Sequence, residues 1–451
     1  VNEARDRVKS AIKNSGYTFP SKKVVINLAP ADLKKAGTGF DLPIAIGILT
    51  EEEVLDWEKI KNYAFIGELA LDGLIRGING VLPLVLGLKE AGIVDIVVPK
   101  SNAKEAALID GINIYPAEHL TDVVNHFIDT KITPLKIDIQ KYLTAQSEIE
   151  YPYDFKDVKG QQKAKRALEI AAAGGHNMLM VGSPGSGKTL MAKCFPSILP
   201  PLTLPEALEL TKIYSICGLL SQEEPLMSKR PFRAVHHTAS ANGIIGGGSN
   251  PKPGEITLAH RGVLFLDEMV EFPRAVLEVL RQPLEDGEIV ISRATHSIKY
   301  PAKFILLGAM NPCPCGYLGD KEKHCTCSDF QISRYLGKLS GPLLDRIDLQ
   351  IDVPRLTPEE LLNTNTKEET SATIRQRVIK AREIQLERYK NEGIFTNSEL
   401  TSKLIKKYCK VDEQSQALLK IAIVKYQLSG RKYDRVLKLA RTLADLDNSK
   451  D

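Results

Sequence analysis

The stretch "NMLMVGSPGSGKTLMAKCF" narrows the possible folds of this chain more than any other. An apolar run, "MLMV", leads into "GSPGSGKT", and "LMAKCF" leaves it with helical character. The pattern G-x-x-x-x-G-K-[ST] between a strand and a helix is that of a phosphate-binding loop. Gly182, Ser183, Pro184, Gly185, Ser186 and Gly187 would turn backbone N–H groups inward around a β-phosphate. Lys188 would reach the β- and γ-phosphates, and the Thr189 hydroxyl would hold Mg²⁺, so ATP and Mg²⁺ are the expected cofactors. A glycine-rich turn that binds nothing is the competing reading, and the strand and helix on either side weigh against it.

Two further apolar runs, "GVLFLDE" and "KFILLGAMN", suit strands buried on both faces of a parallel sheet, which predicts a doubly wound α/β domain. Asp267 and Glu268 end the first run: Asp267 to hold the magnesium, Glu268 to polarise an attacking water. Two acids after an apolar run are by themselves an ordinary strand end, and the phosphate loop in the same domain gives them meaning. Asn311 ends the second run, where it can read a γ-phosphate. "SGPLLDRIDL" offers Arg346 to the nucleotide of a neighbouring subunit, although a lone arginine there serves equally as a surface ion pair.

The chain has 451 residues, 43% of them apolar, which is room for two or three domains. Ahead of the phosphate loop, short apolar runs such as Val24 to Leu28 and Ile96 to Val98 alternate with helical stretches such as "DLPIAIGILTEEEVL", giving a first α/β domain over residues 1–132. The polar, proline-containing 133–150 reads as a linker with a boundary near Glu148, and 151–353 as the ATPase core. Charged, helix-patterned sequence follows, in which Ile374, Val378 and Ala381 recur at helical spacing, so 354–451 is expected to be a helical lid.

No apolar run approaches the roughly 20 residues that cross a bilayer. The start "VNEARDRVKS" carries neither a signal core nor an initiator methionine, which predicts a cytoplasmic chain with a trimmed beginning and no membrane partner. The net charge of +4 permits nucleic-acid binding without demanding it.

Four of the seven cysteines fall in "NPCPCGYLGDKEKHCTC", as Cys313/Cys315 and Cys325/Cys327. Two such pairs can give four thiolates to tetrahedral Zn²⁺, with His324 able to replace one of them. Free thiols or a disulfide are the alternatives, the disulfide being disfavoured in a reducing compartment.

Taken in order, "GSPGSGKT", "HHTAS", "GGGSNPKPGEITLAHRGVLFLDE", "LRQPLEDGEIVISRA", "NPCPCG", "SGPLLDRIDL" and "SGRKYDRVLKLARTLADL" closely resemble the magnesium-chelatase-like AAA+ ATPases of the ComM/YifB type, over nearly the whole chain. The resemblance implies a homohexameric, ATP-driven DNA motor, a branch-migration helicase that helps integrate incoming DNA during natural transformation. It implies the nucleotide roles already read for Lys188, Thr189, Asp267, Glu268 and Asn311, and an arginine finger at Arg346. It also makes Arg431 the second sensor, with Arg435 and Arg441 as further candidates.

"ANGIIGGGSNPKPGE", with Lys252, and "GEIVISRATHSIKYPAKF", with Arg293 near its tip, resemble the hairpins such motors point at DNA. Basic side chains there would neutralise phosphate without reading sequence, although Arg293 serves as well in an ion pair. His236 and His237 are expected to pack or bond within their loop. The first domain resembles the proteolytic domain of Lon proteases, but "FDLPIA" stands where the serine would be and Leu84 where the lysine would be. The resemblance there is to the fold without the protease. A magnesium chelatase ATPase subunit and an ATP-dependent protease are the competing functions.

Overall fold

The computed structural model describes residues 2–28, 37–144, 150–248, 252–292, 297–362 and 368–449. The boundary expected near Glu148, and Arg293, lie outside them. The chain divides into one unit of Val1–Gln146 with Thr203–Ser228 and a second of Ser147–Leu202 with Lys229–Asp451.

The strands of the first unit are β1 (Tyr63–Phe65), β2 (Glu68–Leu69), β3 (Ile75–Arg76), β4 (Asp95–Pro99) and β5 (Asn113–Ala117). β1, β4 and β5 form a parallel sheet in the order β1-β4-β5, and β2 pairs with β3 antiparallel. Ile96 to Val98 is buried within β4, as its apolar character requires. Val24 to Leu28 departs from expectation, because it forms no strand and Val25 is 79% exposed. A strand needs a ladder partner for its backbone groups, and no described strand supplies one.

The helix Asp41–Glu51 begins on a buried carboxylate: Arg7 Nε donates to Asp41 Oδ2 at 2.8 Å. "FDLPIA" therefore carries an ion-pair anchor where a Lon-type nucleophile would stand, and Leu84 on Val81–Glu90 is largely solvent-facing. The helix Leu204–Cys217, expected within the ATPase core, belongs to this first unit. Its Ser215 accepts the Gly80 N–H at 3.0 Å and donates its hydroxyl to Glu105, which also accepts the Leu82 N–H at 2.9 Å.

The strands of the second unit are β6 (Met178–Val181), β7 (Phe232–Val235), β8 (Gly246–Gly247), β9 (Lys252–Pro253), β10 (Val263–Leu266), β11 (Glu288–Ser292), β12 (Ser297–Pro301), β13 (Ile305–Met310) and β14 (Leu349–Asp352). Five of them make a parallel sheet in the order β14-β6-β13-β10-β7. Alternate residues supply two separate cores. Met178, Met180, Val263, Phe265, Leu307 and Ala309 point into one, and Leu179, Leu264, Leu266, Leu306 and Met310 into the other. That is the period-two consequence of a sheet buried on both faces, so the doubly wound reading holds. β8–β9 and β11–β12 are the two expected hairpins, each antiparallel.

The helical C-terminal region is built onto the first of these cores. Ile374, Val378 and Ala381 of the helix Ser371–Arg388 are all buried there. Ser371 ties the junction: its N–H donates to Asp154 Oδ1 at 2.9 Å, and its hydroxyl accepts the Phe155 N–H at 2.8 Å. Beyond it, Asn397 donates to Thr442 Oγ1 at 3.0 Å and Asp445 Oδ2 at 2.8 Å, Arg388 pairs with Asp445, and His176 Nε2 lies 2.8 Å from Thr442 Oγ1. Arg388, Asn397, Thr442 and Asp445 bond one another, while the buried His176 Nδ1 has no hydrogen-bond partner and lies 3.4 Å from Asp348 Oδ2.

If this docking holds the lid, Ile374→Ala should cost about 2–4 kcal/mol and lower the thermal midpoint clearly, since Ile374 is 2% exposed. Val424→Ala, at a position 80% exposed, should leave the midpoint of the isolated chain unchanged. Equal midpoints for the two variants would refute the assignment.

Candidate functional site

The register of the sheet places the ends of its strands side by side: Met310 pairs with Val181, Leu266 with Gly308, and Leu266 with Val235. Each strand hands its next residues to one edge, and those residues carry the chemistry. After Val181 the chain turns through Gly182 to Gly187, with Gly185 and Gly187 at φ 79° and 93°, and enters the helix Lys188–Cys194. Side chains with a Cβ rarely take those angles, which is why glycine stands there.

Lys188 is buried, and its Nζ donates to Gly182 O at 2.7 Å, Ser183 O at 3.0 Å and Asn311 Oδ1 at 3.4 Å. Burial pushes its ammonium below the ordinary lysine range, and the nearby Asp267 opposes that. Thr189 Oγ1 donates to Asp267 Oδ2 at 2.8 Å. Lys188, Thr189, Asp267 and Asn311 therefore come together where the strands β6, β10 and β13 end. A hydroxyl and a carboxylate in contact are hard oxygen donors of the kind Mg²⁺ accepts, so the residues fit that ion.

Glu268 stands beside this group with its backbone in the left-handed region, at φ 50°. A non-glycine residue held there marks a position that the surroundings over-determine. Its carboxylate faces His237, whose Nδ1 lies 3.4 Å from Glu268 Oε2. His236 tilts against that ring at 4.2 Å between centroids, and its own Nδ1 lies 2.8 Å from Thr238 Oγ1. The sequence reading gave both histidines to packing and loop bonding. For both that stands, His237 meeting Phe272 edge-on at 6.4 Å between centroids; His237 also faces Glu268. The signal was the position of "HH" directly after β7, and it could be used only once β7 was known to pair with β10.

The arginines gather elsewhere. Arg346 bonds Glu285 through Nη2 and donates to Pro342 O at 2.7 Å, and Arg431 Nη2 donates to the same Glu285 at 3.0 Å. Burial, then the charges of Arg431, Arg281 and Arg435, lower the Arg346 guanidinium from its ordinary value. Arg435 donates to Ile347 O at 2.7 Å. Arg441 is buried against Asp445 and donates to Ser449 O at 2.8 Å, so it serves the helical region and not this cluster.

Cys313, Cys315, Cys325 and Cys327 converge without a disulfide, their four sulfurs all within 4.8 Å of one another. The closest pairs are Cys313–Cys315 at 3.4 Å, Cys315–Cys325 at 3.5 Å and Cys313–Cys325 at 3.6 Å. A tetrahedron of Zn–S bonds spaces its sulfurs by about 3.8 Å, so this donor set fits Zn²⁺. The Cys315 thiol is lowered to about 6, first by the Tyr317 and Thr326 amides, while burial and the facing sulfurs raise the Cys325 and Cys327 thiols. His324 is exposed and stands outside the cluster. Lys252 is exposed on β9. None of the described helices is long and apolar enough to cross a membrane.

Comparison with known proteins gives the site its context. Residues 154–361 match the family model "Magnesium chelatase, subunit ChlI", 1–102 match "Subunit ChlI of Mg-chelatase", and 368–451 match "Magnesium chelatase, subunit ChlI C-terminal". The chain is 47% identical to the competence protein ComM of Haemophilus influenzae over 449 residues, 99% of this chain and 86% of that protein. It is 44% identical to the uncharacterized protein YifB of Escherichia coli, over 100% of this chain and 86% of the other. Likeness to the magnesium-chelatase 38 kDa subunit of Cereibacter sphaeroides is 24% over 218 residues, 45% of this chain and 59% of that protein. Similarity over the full length at this level, on a parallel sheet with its phosphate loop in place, makes the chain a member of the magnesium-chelatase-like ComM/YifB family.

Proposed function

We propose that the chain is the subunit of an ATP-hydrolysing, homohexameric motor that moves along DNA, with branch migration during natural transformation and homologous recombination as its task. The observation that carries the reading is the meeting of Lys188, Thr189, Asp267 and Asn311 at one sheet edge, with Glu268 beside them. The competence protein among its relatives directs the motor to DNA.

In this reading the inward-facing N–H groups of the phosphate loop and the Lys188 ammonium bind the β- and γ-phosphates of ATP. Lys188 exchanges its loop carbonyls for phosphate oxygens. Thr189 and Asp267 would hold Mg²⁺, which when bound neutralises charge between the phosphates. Glu268 takes the proton of the attacking water, His237 fixes the direction of that carboxylate, and Asn311 orients the water against the γ-phosphate. Arg346 and Arg431, gathered on Glu285, face the nucleotide of the neighbouring subunit, where a guanidinium stabilises developing charge. The β8–β9 and β11–β12 hairpins supply the DNA contacts, Lys252 and Arg293 among them, by neutralising phosphate. The four cysteines hold a structural Zn²⁺.

A second reading, a chelatase ATPase subunit, draws on the name shared by the three matching family models. Steady-state ATPase rates with and without single-stranded, duplex and forked DNA separate the two. Stimulation by DNA and unwinding of forks at low salt are expected of the motor. A rate indifferent to DNA that rises only with chelatase partner subunits would favour the other reading and sink this one.

Three variants or measurements test the parts. Glu268→Gln should bind ATP as the parent does and hydrolyse it about 10²-fold or more slowly, read by nucleotide titration and phosphate release. A rate equal to the parent's would remove Glu268 from its role. Arg346→Ala should bind nucleotide normally but lose about 10³-fold in turnover, and mixing it with Lys188→Ala subunits should restore part of the rate. Were no activity recovered on mixing, action across the interface would be ruled out. Protein purified without chelator should contain zinc in proportion to chain by metal analysis, and substoichiometric zinc would overturn the thiolate assignment.

A further inference from the structure

The chain between the two cysteine pairs leans on the phosphate loop at two points. Gly316 takes φ 86°, and a Cβ there would lie 2.7 Å from Pro184 Cδ and 2.8 Å from Pro184 Cγ. Only a glycine lets the backbone rest so closely on that ring. Four residues on, Asp320 Oδ1 accepts the Glu322 N–H at 2.9 Å and the Lys323 N–H at 3.1 Å, which closes the turn. Its other oxygen, Oδ2, is buried and has no hydrogen-bond partner. Ser183, then the Glu322 amide, holds this carboxylate below its ordinary range.

Ser183 and Pro184 are not peripheral to nucleotide binding. The Ser183 carbonyl accepts from Lys188 Nζ at 3.0 Å, and both residues belong to the turn whose N–H groups would surround a phosphate. At its other end the cysteine segment begins two residues after Asn311, which itself bonds Lys188. The segment 311–327 thus touches the phosphate loop through Gly316 and Asp320 and the loop's lysine through Asn311. What holds that segment in shape is the group of four sulfurs.

We propose that the four-cysteine centre is a metal-dependent brace for the nucleotide site, a zinc-class ion locking the 316–323 turn onto Ser183 and Pro184 and so setting the affinity for nucleotide. The proposal rests on the zinc reading above and adds to it the coupling between metal and phosphate loop. By linkage the coupling is reciprocal, so bound nucleotide must tighten the metal by the same factor that the metal tightens nucleotide.

The experiment compares the full chain with Asp320→Ala, Asp320→Asn and Cys325→Ser. Zinc per chain is measured by metal analysis, and the Kd for a fluorescent ATP analogue with Mg²⁺ by titration. Asp320→Ala keeps all four thiolates and should keep zinc, yet by releasing the turn whose Glu322 and Lys323 amides Asp320 accepts it should weaken nucleotide about fivefold or more. Asp320→Asn retains an acceptor for those two amides and should return most of the affinity, which a general loss of fold would not do. Cys325→Ser should lose zinc and weaken nucleotide at least as much as Asp320→Ala. In the parent, zinc competition against a chelator should tighten when the ATP analogue is added.

If the parent carries zinc and Asp320→Ala keeps both its zinc and the parental Kd, the brace is refuted while the zinc reading stands. If the parent carries no zinc, both fall.

Discussion

The parallel ladder that pairs Met310 with Val181 and Gly308 with Leu266 decides where each strand stops, and so which side chains can meet. A shift of one residue would turn every side chain of a strand to the opposite core. It would send Met178 and Met180 toward the core now filled by Leu179. Both cores are apolar, so the penalty of a slip lies in packing and in the loss of the edge. Lys188 would leave Asn311 and Thr189 would leave Asp267, contacts now at 3.4 Å and 2.8 Å. The site is a by-product of register, and register is held by the volumes on both faces of the sheet.

Much of this architecture is legible in the sequence because it rests on local signals. The phosphate loop declares itself by residue type and spacing, and "GVLFL" and "FILLGAM" declare doubly buried strands by length and unbroken apolarity. The helical spacing of Ile374, Val378 and Ala381 marks the face that reaches the first core. Val24 to Leu28 reads equally well as a strand, but pairing is decided by a partner distant in sequence, and none of the described strands takes that part. The helix Leu204–Cys217 shows the same dependence on distant partners. Its Thr203–Glu206 capping box announces a helix, while its place in the first unit depends on Ser215 meeting Glu105, which no local pattern reveals.

His237 shows the same limit within the site. A histidine pair after a short strand is unremarkable until the neighbouring strand is known to end in Asp267 and Glu268. Only the pairing of Val235 with Leu266 puts the imidazole 3.4 Å from the Glu268 carboxylate. A neighbour such as this leaves a faint trace in a sequence, because it depends on a distance and not on an identity. The cysteines are the opposite case. Their clustering was visible at once, but not that the turn between them carries Gly316 and Asp320 to the phosphate loop.

The arginine cluster states an electrostatic problem that the single chain solves only in part. Arg281, Arg346, Arg431 and Arg435 lie close enough to depress the Arg346 guanidinium, while Glu278, Glu285 and Asp345 divide the compensation among them. Glu285 alone serves both Arg346 and Arg431. A carboxylate and a phosphate offer a guanidinium the same bidentate geometry, and phosphate offers more charge. In the proposed hexamer, moving the two arginines from Glu285 to a neighbour's γ-phosphate would exchange one anion for another without stranding a buried cation. The repulsion stored in the cluster would fall as the second anion arrived. Assembly would then be favoured most where the neighbour holds a triphosphate, because the crowded arginines have the most to gain there. In that reading, the same contacts that bring subunits together sense the nucleotide state between them.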